Sequence, residues 1–252
     1  MTTILSIGTT HPWNVAGVGS DIRIGTELGA RVVSVITAVS AQDAQGLKAL
    51  ERLPDEILRA QFDALPREHV GAVRVGALTS VSHVRVVAQM LRELYDVPVV
   101  VDPVRGPSGG GSFADDATYD ALKREIGTLP NVVLTPNLAE ASALLGGREI
   151  DRDSIGDAAR TLLDLGARGI LVTGGHLGGN PVDALASRET IELFSGTRLP
   201  GDMRGTGCTL AMALAVELAD GSNLRSAVVH ARAFVREKIN AAGQVASAAM
   251  PY

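Results

Sequence analysis

The sequence predicts an α/β protein, a doubly wound, mostly parallel sheet with helices on both faces. Three observations carry that expectation. Short β-branched runs alternate with segments of helical period along the whole chain. The apolar 46% of the 252 residues is mostly Ala, Val, Leu and Ile, with only 3% aromatic, which suits strands buried on both faces. No linker, repeat or low-complexity stretch breaks the alternation, so residues 1–252 are expected to form one domain.

Residues 3–9 read as a buried strand, followed by a loop that holds Pro12 and Trp13. Residues 17–28 carry Val18, Ile22, Ile24 and Leu28 at roughly helical spacing. Residues 31–39 are β-branched and read as a strand. Residues 54–65 form an amphipathic helix with Pro54 near its start, and 72–75 a short strand. Residues 80–94 place Val84, Val87, Leu91 and Leu94 on one helical stripe. Strand 97–101 ends at Asp102-Pro103 and opens into the loop Gly106-Pro107-Ser108-Gly109-Gly110-Gly111. Helix 115–126, strand 132–135, helix 138–145, helix 154–165 and strand 169–173 follow. Residues 183–186 and 190–194 read as a hairpin, and helices 206–218 and 224–242 close the chain. Ligands of such sheets bind beyond the C-terminal strand ends. Residues 9–17, 102–111, 135–140, 174–176 and the Gly205 loop fall there.

A net charge of −5 without a run of like charges gives no electrostatic support for nucleic acid or an anionic membrane. A single cysteine excludes an internal disulfide and a cysteine-based metal site. Met1-Thr2-Thr3-Ile4-Leu5 lacks a basic region and a cleavage pattern. No apolar run reaches membrane-spanning length. A cytoplasmic protein is expected.

Arg204-Gly205-Thr206-Gly207-Cys208-Thr209-Leu210 is the most informative stretch, because it runs directly into an apolar helical pattern. Its glycines allow close backbone approach, and the helix start directs free N–H groups and a positive dipole end at the loop, which makes an anion site. The same field should lower the thiol pKa of Cys208 and make it a potential base. The competing reading is glycines for packing and an inert, buried cysteine. Asn137 and Glu140 stand at capping-box spacing, and Asp102 is a turn residue or a metal-side carboxylate. The chain has no Walker loop, no complete dinucleotide fingerprint at Gly17-Val18-Gly19, no G-x-S-x-G elbow, and no metal spacing among its histidines.

Leu134-Thr135-Pro136-Asn137-Leu138-Ala139-Glu140-Ala141, Leu171-Val172-Thr173-Gly174-Gly175-His176 and Gly205-Thr206-Gly207-Cys208-Thr209-Leu210 resemble, in that order, the ribokinase-like superfamily, and within it the hydroxymethylpyrimidine (phosphate) kinases of thiamin synthesis. Ile7-Gly8-Thr9, Ala16-Gly17, Asp21, residues 28–30, residues 34–38, Ala41-Gln42-Asp43 and Val101-Asp102-Pro103-Val104 extend the likeness over nearly the whole chain. The resemblance implies ATP, Mg²⁺ and γ-phosphoryl transfer to a hydroxymethyl group on a flat heteroaromatic ring. It also implies a homodimer.

On that resemblance, Gly205, Thr206, Gly207 and Cys208 serve the moving phosphoryl group, with backbone donors placed as in an oxyanion hole, and Cys208 takes the alcohol proton or only holds the hydroxyl. Asn137 and Glu140 belong to the Mg²⁺–phosphate region, Glu140 acting through water, with Asp102 beside them. Asp21, Gln42 and Gly8 line the ring pocket, where Asp21 accepts from an amino group and Gln42 both donates and accepts. The competing readings are a solvated Asp21 in a first helical turn and a loop hydrogen bond for Gln42. Trp13 is a loop anchor or a stacking plate. Thr173, Gly175 and His176 fall on the nucleotide side.

Four departures from the family pattern stand out. The family's D-P-S-G-G-A-G loop reads His11-Pro12-Trp13-Asn14-Val15-Ala16-Gly17, where Asn and Val replace permissive glycines. Thr173 stands in place of a lysine, residues 108–111 in place of a second, and Arg204 in place of a histidine. Arg105 and Arg204 are expected beside the phosphate path as compensating cations or as readers of an anionic acceptor. The rival functions are a kinase of another ring alcohol such as pyridoxine or pyridoxal, and a ligand-binding protein of the same fold without turnover.

Overall fold

The computed structural model describes residues 1–43, 45–107, 110–175, 177–200 and 203–246. In chain order these form β1 (Thr3–Thr10), α1 (Gly17–Glu27), β2 (Arg31–Asp43), β3 (Gly46–Arg52), α2 (Asp55–Asp63), β4 (Val70–Val75), α3 (Val81–Glu93), β5 (Val99–Val101) and α4 (Asp116–Glu125). They continue with β6 (Val132–Leu134), α5 (Leu138–Leu144), α6 (Ile155–Leu163), β7 (Gly169–Val172), β8 (Val182–Ser187), β9 (Ile191–Ser195), α7 (Thr206–Ala219) and α8 (Leu224–Ala246). The strands make one sheet ordered β3-β2-β1-β4-β5-β6-β7-β8-β9. Its centre, from β2 to β7, is parallel. The edges β3, β8 and β9 are antiparallel.

The expected fold class is the one observed. The expected hairpin of 183–186 and 190–194 is β8 with β9. One element went unassigned by pattern. β2 continues to Asp43 and turns back as β3. An edge strand buries little, and Lys48, Ala49, Glu51 and Arg52 of β3 are exposed, so no apolar alternation marks it. Gln42 therefore lies on a strand, beside a register shift, rather than in a loop.

Each sheet face buries its own core. Leu58 and Phe62 of α2, Val84 and Leu91 of α3, Leu122 of α4, Leu144 of α5 and Leu162 of α6 pack on one face. Ile24 of α1, Leu210 to Leu218 of α7, and Ala227, Val228 and Ala231 of α8 pack on the other. Side chains of a strand alternate between faces, and that alternation positions the site. Leu5 and Ile7 join the first core and Ile4 the second, which sends Ser6 and Gly8 toward α1 and α7. By the same count Arg74 follows Ala72, and Asp102 follows Val100. The chain order reverses between β1 and β4, and a crevice at that switch point is the standard ligand position in open α/β sheets.

Helix starts are fixed by their caps. Ser80, Asp115 and Asn137 accept from backbone N–H groups three residues on, each removing an orphan donor. Gly205 caps α7 in the left-handed region at φ 77°. A Cβ there would stand 2.2 Å from the Val15 carbonyl oxygen, so only glycine lets this loop close on the 11–17 loop. Among the described residues no helix is long and apolar enough to cross a membrane.

Candidate active site

Four elements converge at the C-terminal end of the central strands. β1 brings Ser6, α1 brings Asp21, β4 brings Arg74, and the end of β5 brings Asp102, all of them buried. Ser6 Oγ donates to Asp21 Oδ2 at 2.6 Å, and Arg74 Nη1 donates to the same oxygen at 3.1 Å. Arg74 Nη2 donates to Asp102 Oδ2 at 2.7 Å. Burial raises the pKa of both carboxylates, and the Arg74 charge opposes that rise. Asp21 is thus neither solvated nor in the first turn of α1, and its Oδ1 is a buried oxygen without a hydrogen-bond partner.

The first turn of α7 closes over this group. A Cβ on Gly207 would lie 3.7 Å from Asp102 Oδ2, so the glycine loop passes directly against that carboxylate. Cys208, in that first turn, is buried beside Arg74 and Asp102, whose charges act on its thiol. The expectation of a lowered thiol pKa is corrected here. Burial pushes the Cys208 thiol up to about 12, with the charges of Asp102 and Asp21 adding to it, while Arg74 and the Gly17 N–H pull the other way. Desolvation of a fully enclosed group and two neighbouring carboxylates outweigh the helix dipole.

Glu140 forms the capping box anticipated from its spacing. Its Oε2 accepts from the Asn137 N–H at 2.9 Å, and Asn137 Oδ1 accepts from the Glu140 N–H at 3.0 Å. Burial first, and then the charge of Asp102, push its carboxyl up to about 8. Asp102 and Glu140 are thus a buried pair of carboxylates that repel one another. Among the described residues no group of three or more His, Cys, Asp or Glu is placed to hold a metal by itself.

On the neighbouring strand Thr173 pairs with Asn137 in an isolated parallel bridge, and its N–H donates to the Pro136 carbonyl at 2.9 Å. Gly175 faces open space where a side chain would be, and its carbonyl accepts from Arg198 Nη1 at 3.0 Å. His176 lies outside the described residues.

The two arginines expected near the phosphates differ. Arg105 turns its guanidinium onto Asp116 and over the Tyr119 ring, 5.6 Å from the centroid. Its backbone N–H, rather than its charge, acts to lower the Glu140 pKa. The Arg105 side chain is partly exposed and paired with Asp116, an exposed carboxylate. Arg204 Nη1 donates to the Asp43 carbonyl at 3.2 Å. It thereby joins the glycine loop to the tip of the β2–β3 hairpin. The same hairpin reaches the loop after β5, where the Leu47 N–H donates to the Gly110 carbonyl at 3.1 Å.

The other residues expected on the acceptor side lie on β1, on β2 and in the 11–17 loop. Gln42 is half-buried, and its Nε2 lies 3.4 Å from Ser40 Oγ. Gly8 has Gly76 Cα, the Ala77 N–H and Arg74 Nη1 as nearest neighbours of an absent Cβ. Trp13 is 54% exposed. Within the same loop His11 acts as an anchor. It is buried, and its Nε2 accepts from the Ala16 N–H at 3.3 Å.

Arg74, Ser6, His11 and the β2–β3 hairpin were not singled out from the sequence. For Arg74 a signal was present, a lone cation inside the apolar run Ala72-Val73-Arg74-Val75. A charge in a central strand is costly unless it is paired.

Comparison with known proteins places this geometry. The phosphomethylpyrimidine kinase family matches residues 12–252. The chain is 35% identical over 242 residues to the thiamine biosynthesis bifunctional protein ThiED of Geobacter sulfurreducens, covering 95% of this chain and 49% of that protein, so it spans about half of that relative. It is 35% identical over 241 residues to the hydroxymethylpyrimidine/phosphomethylpyrimidine kinase of Streptomyces coelicolor, covering 94% of this chain and 88% of that one. Among solved structures, phosphomethylpyrimidine kinase of Clostridium difficile superposes with TM-score 0.82 at 28% identity, covering 95% of this chain and 100% of that one. Bacillus subtilis pyridoxal kinase, in an ADP complex, superposes with TM-score 0.86 at 28% identity, covering 95% and 92%. The sheet, the glycine loop at the start of α7 and a family match over nearly the entire length agree: the chain belongs to the phosphomethylpyrimidine kinase family, with a ribokinase-like fold.

Proposed function

We propose that this chain transfers the γ-phosphoryl group of ATP, with Mg²⁺, to the hydroxymethyl group of a pyrimidine and then to the resulting phosphomethyl group, as in thiamin biosynthesis. The observation that carries this reading is the start of α7 lying against Asp102, with Asp21 reached through Arg74. Thr206, Gly207 and Cys208 head the helix, where backbone N–H groups have no partner within it. Such donors suit the charge that spreads over a phosphoryl group in transit.

Asp102 and Glu140 fit a divalent cation, since a buried pair of repelling carboxylates is relieved by one. Among the described residues no third ligand joins them, which suits Mg²⁺, since that ion completes its shell with water and phosphate oxygens. When bound, the ion neutralises phosphate charge. Cys208, as a neutral thiol, holds the acceptor hydroxyl rather than removing its proton beforehand. A loose transition state needs little early deprotonation of the nucleophile. Asp21 and Gln42 form the polar wall of the acceptor pocket, and Arg204 stands where a phosphorylated acceptor would enter.

The likeness to pyridoxal kinase favours a second reading, in which the acceptor is a pyridine alcohol. An ATP-consumption assay on hydroxymethylpyrimidine, its monophosphate, pyridoxal and pyridoxine separates the two. Turnover of both pyrimidines supports the proposal, turnover confined to the pyridines replaces it, and no turnover with any acceptor favours a binding protein.

A further inference from the structure

Arg74 is the largest fully buried side chain among the described residues. Burying a guanidinium is costly before pairing is counted, and sheet packing alone has no use for one. The surroundings are shaped around it. A Cβ on Gly76 would stand 2.1 Å from Nη1, and one on Gly8 would stand 3.8 Å from it. The two terminal nitrogens serve different elements, with Asp21 of α1 on Nη1 at 3.1 Å and Asp102 at the end of β5 on Nη2 at 2.7 Å. Ser6 locks the Asp21 oxygen that Arg74 uses. A planar fork can hold two carboxylates at a set separation, whereas a lysine ammonium is a single point charge.

We propose that Arg74 is a positioning residue that couples the acceptor side of the site, through Asp21, to the Mg²⁺–phosphate side, through Asp102. The inference rests on the kinase reading above. It makes a specific claim: a change at Asp21 is felt by the cation site, and the effect passes through one guanidinium.

The test is a binding measurement on the full chain. Calorimetry with a non-hydrolysable ATP analogue gives the Mg²⁺ concentration for half-maximal nucleotide binding in wild type, Asp21→Asn, Arg74→Lys and the double variant. Thermal midpoints establish that each is folded. Asp21→Asn and Arg74→Lys are each expected to raise that concentration about tenfold, the scale of changes behind a metal ligand. The double variant should be no worse than Arg74→Lys alone, because the link is already cut. An unchanged Mg²⁺ requirement in Asp21→Asn, or effects that multiply in the double variant, overturns the proposal. If Arg74→Lys does not fold, the Asp21→Asn shift decides by itself. The measurement uses no acceptor. A wild type that fails to phosphorylate any pyrimidine therefore removes the acceptor assignment and still leaves Arg74 to be judged.

Discussion

The side chain of Asn14 fills the space that a Cβ on Gly19 would need: a Cβ built there would lie 1.9 Å from Asn14 Oδ1 and 2.8 Å from Asn14 Cβ. Asn14 is also the one described non-glycine residue with positive φ, at 53°, a conformation that asparagine tolerates better than most residues. Loss of a glycine from the 11–17 loop is thus absorbed by an asparagine in the left-handed region, with Gly19 of α1 making room for it.

Gly19→Ala is therefore expected to expel Asn14 and shift the loop. The stability cost should be about 1–3 kcal/mol, typical of overpacking, with a raised KM for the acceptor and an unchanged KM for ATP. Asn14→Gly in the same chain should restore most of the midpoint in thermal unfolding. No recovery would show that the contact is not what restrains the loop.

Cys208 separates two chemistries. If the thiol holds the hydroxyl, Cys208→Ser keeps a donor and acceptor in place and should stay within about threefold of wild-type kcat, while Cys208→Ala loses about tenfold, one neutral hydrogen bond's worth. If the two variants fall equally far in steady-state kinetics, a thiolate is required and the anchoring role is wrong.

Arg204 and Arg105 should part company. Arg105→Ala removes an exposed pair with Asp116, worth about 0–1 kcal/mol, and should leave kinetics on either pyrimidine nearly unchanged. Arg204→Ala should raise KM for the phosphorylated acceptor about tenfold, one charge-assisted contact's worth, and affect the neutral acceptor less. An equal loss on both acceptors, measured at fixed ATP, would assign Arg204 to the ATP phosphates instead.

His11 makes the 11–17 loop sensitive to acid. Burial pulls its pKa below the ordinary value, so the folded protein holds it neutral, accepting from Ala16, while the unfolded chain takes up a proton near pH 6.5. Stability contributed by the neutral ring is complete above that pH and is lost as pH falls below it, by at most about 1.4 kcal/mol per pH unit. His11→Gln should flatten the fall of the thermal midpoint between about pH 6.5 and 5. An unchanged slope would place the titration elsewhere.

The alternation of β-branched runs with helical-period segments was enough to set the fold class, because period and composition act locally and each segment has one face or two to bury. Asn137 and Glu140 were legible as a cap for the same reason, since three residues of separation close the box by themselves. The glycines at 205 and 207 were legible as a loop permitting close approach, and the Gly205 conformation agrees. Beyond this the residues needed the sheet. Edge strand β3 has no core face to print a pattern on the sequence. The thiol of Cys208 was read from the helix dipole, a local field, but its proton affinity follows from burial and from Asp21 and Asp102, which are 187 and 106 positions away by numbering. The pairing of Arg105 with Asp116 was not legible, because it depends on how the loop after β5 folds back on the start of α4. Arg74 was not singled out from the sequence. Only tertiary packing brings α1, β5 and α7 around it, and desolvation then makes each of those partners obligatory.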